Sequence, residues 1–209
     1  MKDYEALSKK HFDGQAAEYD QRDTYYYSQN GKISCHDIAE QVKNVPYEAL
    51  LDVGCGTGFL IDRLAGQKKA KYCGLDLSDE MIRVSNRKTI PGAEFIVGSA
   101  DKLPYPDESF DIVACSQSFH HYPYPDKAMR EAKRVLKPGG LYILSDTGIG
   151  GVGAWIDNHI LFKVARSGDC HTTNRKGSER MMESAGFTIM DSRQIKGMIY
   201  TVTGQKETR

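Results

Sequence analysis

Short apolar runs alternate with helical patterns through the middle of this chain, and this alternation constrains the fold more than any other feature. The runs typical of strands lie at residues 50–53, 72–75, 94–97, 112–116 and 141–145. Helical patterns lie at residues 59–65, 79–86 and 126–136. Pro138, Gly139 and Gly140 are predicted to end the third helix. Strands that alternate with helices predict a parallel sheet covered by helices on both faces.

The order of elements changes after residue 147. Helical patterns at residues 152–165 and 176–185 precede two further strands, at 187–194 and 198–203. Lys196-Gly197 joins these strands as a tight turn, which predicts a terminal antiparallel hairpin. The first 45 residues have an amphipathic helical pattern and precede the first strand, so they are not needed to build the sheet and are free to cover its crevice as a lid.

Charge and cysteine content exclude several classes of protein. The 28 basic and 28 acidic side chains give a formal net charge of zero, which disfavours nucleic acid and anionic lipid as partners. The N-terminus lacks the apolar core of a signal peptide, and no stretch is apolar enough to span a bilayer. The five cysteines are scattered without a C-x-x-C pair. We therefore expect a cytoplasmic protein of 209 residues with reduced cysteines.

A glycine-rich loop follows the first predicted strand. Gly54, Gly56 and Gly58 come directly after the apolar run that ends at Asp52-Val53, and they open the next helix. Open α/β sheets bind ligands at this position, where glycines let the backbone approach the ligand. The spacing G-x-G-x-G differs from the dinucleotide fingerprint, in which the third glycine comes later. A carboxylate beside the loop would repel a pyrophosphate but suits an amine, so the predicted ligand is cationic.

Two further polar positions follow the second and third strands. Asp76 ends the second strand, where a carboxylate can accept hydrogen bonds from both hydroxyls of a ribose. Residues 98–104 follow the third strand and include short polar side chains that could take the amino group of an adenine. An amine, a ribose and an adenine therefore each have a candidate partner.

These motifs together resemble the class I S-adenosylmethionine-dependent methyltransferases, in the small-molecule branch that includes the quinone-biosynthesis C-methyltransferases. The matching stretches are residues 50–58, 74–81, 98–104, 105–111 and 134–140. Their order and spacing make them more specific together than a lone glycine motif. The resemblance implies a Rossmann-like doubly wound, mostly parallel seven-stranded sheet, with S-adenosylmethionine as cofactor. It also implies methyl transfer to a small-molecule acceptor by in-line displacement, which releases S-adenosylhomocysteine.

The resemblance assigns residues to the methionine and ribose parts of the cofactor. Asp52, Gly54 and Gly56 would hold the methionine part, and Ser116 would offer its carbonyl to the amine. Asp76 would bind the ribose, although the same acid could instead serve only the start of the following helix.

Further residues are implied for the adenine and for the lid. Leu77 and Met81 would contact the adenine face, and Ala100 with Asp101 its edge. Asp101 could instead cap the following turn. The N-terminal segment resembles the family's lid helix, with Tyr19 as the candidate contact, and the tyrosines at 25–27 form either a solvated helix face or part of a substrate lid.

The histidines admit more than one interpretation. His121 is the candidate catalytic base or acceptor contact, and a structural role is the alternative for it and for His120. Methyl transfer depends mainly on alignment, so a base is needed only where the nucleophile must lose a proton. We expect no metal site, because the histidines and Asp146 lack i, i+4 ligand spacing.

The sequence therefore predicts a single methyltransferase domain with three parts. Residues 1–45 form the helical lid, 46–147 the cofactor-binding core, and 148–209 the acceptor-side insert and terminal hairpin. A module that binds the cofactor without chemistry is the alternative function. A nicotinamide oxidoreductase is a third hypothesis, which the glycine spacing disfavours.

Overall fold

A seven-stranded sheet organises the chain, whose computed structural model describes residues 3–20, 26–165 and 167–208, with the side chains of 26–28 left out. The order of strands across the sheet is β3-β2-β1-β4-β5-β7-β6. The strands are β1 (Ala49–Val53), β2 (Lys71–Asp76), β3 (Ala93–Val97), β4 (Phe110–Ser116), β5 (Leu136–Thr147), β6 (Thr188–Lys196) and β7 (Ile199–Gln205). All neighbours from β3 to β5 are parallel, and β7 runs antiparallel between β5 and β6. The predicted mostly parallel sheet with a terminal antiparallel hairpin is confirmed.

The strand order places a ligand crevice beside β1. The chain moves outward from β1 through β2 to β3 and then returns to β4 on the other side of β1. The connections that leave β1 and β4 therefore diverge at the carboxyl ends of these strands, which opens the crevice where such sheets bind ligands.

Helices cover both faces of the sheet because every strand of its centre is apolar on both sides. All five residues of β1 are buried, with Leu51 and Val53 in one hydrophobic cluster and Leu50 in the other. The helices are α1 (Tyr4–Asp13), α2 (Tyr26–Val42), α3 (Phe59–Ala65), α4 (Asp79–Arg87), α5 (Pro125–Val135), α6 (Gly151–Ile156), α7 (Phe162–Val164) and α8 (Arg175–Ser184). None of the helices among the described residues is long and apolar enough to cross a membrane.

Two local predictions were wrong. The strand expected at 141–145 begins at Leu136, directly after α5, because its first residues stay extended beside Phe110 before a bulge restores the pairing at Leu141. Pro138-Gly139-Gly140 therefore lies within β5 and not in a loop. The helix expected at 152–165 is divided by a π-helical turn, Asp157–Leu161, between α6 and α7.

Candidate active site

One large pocket opens at the carboxyl ends of the central strands. It encloses about 1190 Å³, including the part that is open to solvent. All eleven residues that the sequence analysis selected line this pocket: Tyr19, Asp52, Gly54, Gly56, Asp76, Leu77, Met81, Ala100, Asp101, Ser116 and His121. The fold therefore brings together side chains that are up to 102 positions apart, from Tyr19 to His121. Their individual roles toward a ligand stay predictions.

The glycine loop uses two of its glycines for different reasons. Gly54 and Gly56 both have positive φ, at 76° and 52°. A Cβ at Gly54 would lie 2.0 Å from Ser118 Oγ, so packing against the β4 loop requires glycine there. A Cβ at Gly56 would meet no described atom within 4 Å and would point into open space. Gly56 therefore marks where the backbone itself can approach a ligand.

The carboxylate of Asp76 ties this loop to the next helix. Its Oδ2 accepts a hydrogen bond from the Gly56 N–H at 2.8 Å, and its Oδ1 accepts one from the Ser78 N–H at 2.9 Å. Ser78 itself caps α4, since its Oγ accepts from the Met81 N–H at 3.1 Å. Burial raises the pKa of Asp76, and the backbone hydrogen bonds oppose that shift. Asp76 therefore has a structural task in the loop as well as a place in the pocket.

Asp52 is a buried acid with an unsatisfied oxygen. Its side chain lies on β1 with the residue only 2% exposed, and Oδ1 has no hydrogen-bond partner within the described part of the chain. Burial, followed by repulsion from Asp76, raises the pKa of Asp52 to about 7. A buried ionised group without a partner is costly, and a cation in the pocket would offset that cost. The pocket therefore suits a ligand with a positively charged amine.

Another part of the pocket wall is formed by the residues that follow β3. Ser99 Oγ lies 2.8 Å from Asp101 Oδ1 and 2.8 Å from Glu5 Oε1 of α1. Met81 is buried under this part of the wall. Sequence reasoning missed Glu5, because only the folding of α1 over the sheet edge brings it to the third strand.

The N-terminal segment covers the pocket. Asp13, at the end of α1, accepts a hydrogen bond from Ser78 Oγ at 2.6 Å and one from the Glu80 N–H at 3.3 Å. Asp20 accepts one from Thr57 Oγ1 of the glycine loop at 2.6 Å. Burial raises the pKa of Tyr19 to about 12. Residues 13–20 of the predicted lid are therefore bonded to both the loop and α4. The lid prediction for residues 1–45 was wrong for α2, which buries Ile38, Ala39 and Val42 in the hydrophobic core. Tyr25 and the side chains of Tyr26 and Tyr27 lie outside the described residues.

A polar network forms the wall after β4. Ser118 Oγ and Tyr122 Oη lie 2.6 Å apart, and both donate to the Val53 carbonyl, at 3.2 Å and 3.0 Å. Gln117 has a positive φ of 52°, and its amide joins Ser34 and Thr147. Gln117 and Tyr122 also line the pocket. The sequence analysis did not select them, because neither belongs to a motif with a fixed spacing.

The two adjacent histidines have different surroundings. His120 Nδ1 lies 2.7 Å from Asp146 Oδ1, so its ring is held on β5, outside the pocket. His121 lines the pocket, and the ring of Phe12 meets its ring edge-on at 5.0 Å. Burial, followed by repulsion from His120, lowers the pKa of His121 below its ordinary value. These surroundings favour the neutral imidazole.

Asp169 joins the histidines from the segment before α8. Its Oδ1 lies 3.7 Å from His120 Nε2 and 3.5 Å from His121 Nδ1. The three residues together could hold a metal ion. The prediction that no metal site exists considered only histidines and Asp146, and no spacing rule links Asp169 to a pair 48 residues earlier.

Comparison with known proteins identifies the family to which the pocket region is related. Residues 51–144 match the family model described as a methyltransferase domain. The fatty-acid O-methyltransferase of Mycolicibacterium smegmatis is 41% identical over 113 residues, which are 53% of this chain and 41% of that protein. The demethylmenaquinone methyltransferase of Chlorobaculum tepidum is 42% identical over 108 residues, 52% of this chain and 44% of that protein. The matched part thus spans less than half the length of these relatives.

A solved structure resembles nearly the whole chain. It belongs to the complex of the Haloferax volcanii Trm112 methyltransferase activator with a methyltransferase. The match has a TM-score of 0.79 and 18% identity, and it covers 97% of this chain and 98% of the other. At this identity the likeness concerns the fold. The family match at residues 51–144 confirms the methyltransferase resemblance for that part of the chain.

Proposed function

We propose that this chain, which has a methyltransferase domain at residues 51–144, transfers a methyl group from S-adenosylmethionine to a small-molecule acceptor. The observation that carries the proposal is Asp52, a buried acid whose Oδ1 lacks a partner among the described residues and which faces the same pocket as the glycine loop and Asp76. That arrangement fits a ligand with an amine at one end and a ribose in its middle. The cofactor S-adenosylmethionine has both groups.

The pocket residues divide between the parts of that cofactor. In the proposal Asp52 binds the amine, together with the carbonyl of Ser116 at the end of β4. The loop at Gly54 and Gly56 lies along the methionine part, and Asp76 accepts from the ribose hydroxyls. The adenine packs between apolar and short polar side chains, which are Leu77, Met81, Ala100 and Asp101. When bound, the cofactor supplies an electrophilic methyl group on a positively charged sulfur.

The acceptor would enter from the side of β4 and the N-terminal segment. Aromatic side chains dominate this side of the pocket: Phe12, Tyr19, Tyr122 and Tyr124. Such a wall suits a small, largely apolar molecule. The two relatives named above act, by their names, on a fatty acid and on demethylmenaquinone, which are molecules of this type. We propose that His121 contacts the acceptor.

The chain contributes to the reaction mainly by alignment. The acceptor would supply the electron pair of the new bond to the methyl carbon, and the cofactor sulfur would keep the pair of the carbon–sulfur bond. Holding the nucleophile in line with the breaking bond removes much of the entropic barrier. Phe12 and Tyr19 exclude water from the reacting atoms in this arrangement.

A labelling experiment tests the proposed activity. The purified chain is incubated with a metabolite extract and a donor labelled in its methyl group, and the labelled product is identified by mass spectrometry. We expect one or a few small apolar molecules to acquire the label. Binding of S-adenosylhomocysteine without any labelled product would favour the alternative, a module that binds the cofactor without chemistry.

Calorimetry tests the third hypothesis, a nicotinamide oxidoreductase. S-adenosylhomocysteine should bind and NAD should not, because the G-x-G-x-G loop and Asp52 do not suit a pyrophosphate. Binding of NAD alone would contradict the proposal. We further propose a cytoplasmic setting, which the five unpaired cysteines favour.

A further inference from the structure

A second cluster of chemically active side chains lies beside the acceptor wall. His120 and His121 occupy a short 3-10 turn, Phe119–His121, after β4. Asp169 approaches both from the segment before α8, with its Oδ1 at 3.7 Å from His120 Nε2 and at 3.5 Å from His121 Nδ1. All three candidate donor atoms lie within 4.8 Å of one another. They stand apart from the residues assigned above to the amine, the ribose and the adenine.

His121 has a buried nitrogen that nothing in the described chain satisfies. The side chain is only 9% exposed, and its Nδ1 has no hydrogen-bond partner among the described residues. This Nδ1 lies 3.5 Å from Asp169 Oδ1 without a hydrogen bond between the two atoms. A cation between them would accept a lone pair from each and so satisfy both.

The other two residues are already oriented as metal ligands usually are. Asp146, which is 1% exposed, accepts from the His120 N–H at 3.0 Å and lies 2.7 Å from His120 Nδ1. This contact directs Nε2 of the ring toward Asp169, as in the carboxylate–histidine–metal arrangement of known sites. Ser167 donates to the other oxygen of Asp169, Oδ2, and so leaves Oδ1 for the cluster.

We propose that His120 Nε2, His121 Nδ1 and Asp169 Oδ1 bind a divalent transition-metal ion of the zinc class. Two imidazoles and one carboxylate are donors that Zn²⁺ accepts, and bond lengths of about 2.0–2.1 Å imply ligand atoms about 3.3 Å apart in a tetrahedron. The separations from Asp169 Oδ1 are 3.5 Å and 3.7 Å, and the two histidine nitrogens lie within 4.8 Å of each other, so the three ligands would move closer together around the ion. Three protein ligands leave a fourth position, as in sites where zinc contacts a substrate.

The position of the site suggests what the ion would contact. His121 belongs both to the cluster and to the wall of the pocket, so an ion there adjoins the acceptor side. This part of the inference rests on the proposed methyl transfer. An acceptor with a hydroxyl or thiol could place that group on the open position, where the ion lowers its pKa and so favours the nucleophilic form. Metal binding itself does not depend on the reaction.

Titration of the reduced 209-residue chain with zinc chloride, by calorimetry, tests the inference. We expect one ion per chain and at least a tenfold loss of affinity in Asp169→Asn and in His120→Gln. His159→Gln is the matched control, because His159 stacks on Trp155 away from the cluster and its loss should change nothing. Cys170→Ser should also keep the affinity, since that thiol donates to the His120 carbonyl.

The outcomes separate this inference from the proposed function. Absence of stoichiometric binding, or binding that Asp169→Asn leaves unchanged, would overturn the metal site. Asp169→Asn is nearly isosteric, and its melting temperature checks that the fold is retained if His120→Gln fails to fold. The absorption spectrum of the Co²⁺ form reports the coordination number and should change in Asp169→Asn. Zinc binding without affinity for S-adenosylhomocysteine would support the metal site and contradict the proposed methyl transfer. Affinity for S-adenosylhomocysteine without zinc binding would support the methyl transfer and overturn the metal site.

Discussion

Asp76 Oδ2 accepts a hydrogen bond of 2.8 Å from the backbone N–H of Gly56 and so joins the end of β2 to the loop that follows β1. The other oxygen of the same carboxylate accepts from the Ser78 N–H at the start of α4. One half-buried acid therefore holds the glycine loop and the next helix in a fixed relation before any ligand arrives. Such preorganisation reduces the entropy that binding would otherwise cost.

Replacing Asp76 should weaken cofactor binding more than it weakens the fold. In Asp76→Ala the ribose hydroxyls lose a charged acceptor and the loop loses its anchor, at a cost of about 1.5–3 kcal/mol, or roughly 10- to 150-fold in affinity. Calorimetry with S-adenosylhomocysteine measures the change. Asp79 is an exposed acid in an ion pair with Lys9, so Asp79→Ala is the control and should bind S-adenosylhomocysteine as the wild type does. Unchanged affinity in Asp76→Ala would remove this residue from the ribose site.

Gly56 and Gly197 form a matched pair for testing the glycine loop. Both have positive φ, at 52° and 56°, and a Cβ at either would meet no described atom within 4 Å. Gly56→Val and Gly197→Val should therefore lose similar stability, because a β-branched residue is strained in this region. Only Gly56→Val should lose S-adenosylhomocysteine binding, since only its side chain would enter the pocket. Equal binding by the two variants would show that the loop does not touch the ligand.

The raised pKa of Asp52 predicts how stability depends on pH. The pKa of Asp52 is about 7 in the folded protein and 3.8 for the free side chain, so between these pH values the folded state binds more protons than the unfolded state. Stability of the free protein should therefore fall as the pH rises through that window. Urea unfolding from pH 4 to 8 should show a flatter profile for Asp52→Asn, with greater stability than the wild type above pH 7. The exposed Asp62→Asn is the control for loss of one negative charge.

Asp52→Asn should therefore raise the stability of the protein above pH 7 but lower its affinity for S-adenosylhomocysteine. Because the ionised form of Asp52 would bind the amine, affinity for S-adenosylhomocysteine in the wild type should rise with pH up to about 7. In Asp52→Asn the affinity should be low and nearly independent of pH over this range. A variant that is less stable at pH 8, or that keeps the pH dependence of binding, would contradict the assignment of the amine to Asp52.

The N-terminal segment should respond to cofactor as a lid. In residues 12–20, Asp13 and Asp20 bond to α4 and to the glycine loop, and the ring of Phe12 contacts His121. A ligand beneath them would add contacts, so their amide hydrogens should exchange more slowly with S-adenosylhomocysteine bound. Hydrogen-exchange mass spectrometry measures this, with α8 as the internal control. Equal protection of residues 12–20 with and without S-adenosylhomocysteine would show that this segment is permanently docked and that Tyr19 serves only in packing.

Periodicity and spacing within a short stretch made much of this protein predictable. The alternation of apolar runs with helical patterns predicted the parallel sheet, because each strand of its centre is buried on both faces. The carboxyl ends of parallel strands meet at one edge of a sheet, so the sequence pattern was sufficient to place Asp52 and Asp76 in one pocket. The start of β5 was mispredicted, since Pro138 and the glycines after it also fit a bulged strand.

Contacts between distant parts of the chain were decided by the tertiary structure alone. The sequence by itself determined the sheet, its hairpin and the motifs that line the pocket, because these depend on local pattern. Glu5 beside Ser99 and Asp169 beside the histidine pair depend on how whole segments dock, and no local spacing encodes that. Asp52 Oδ1 and His121 Nδ1 lack a partner within the described part of the chain, which likewise results from burial by many neighbours at once. Burial and pairing are properties of the packed chain, and they carry both the proposed function and the proposed metal site.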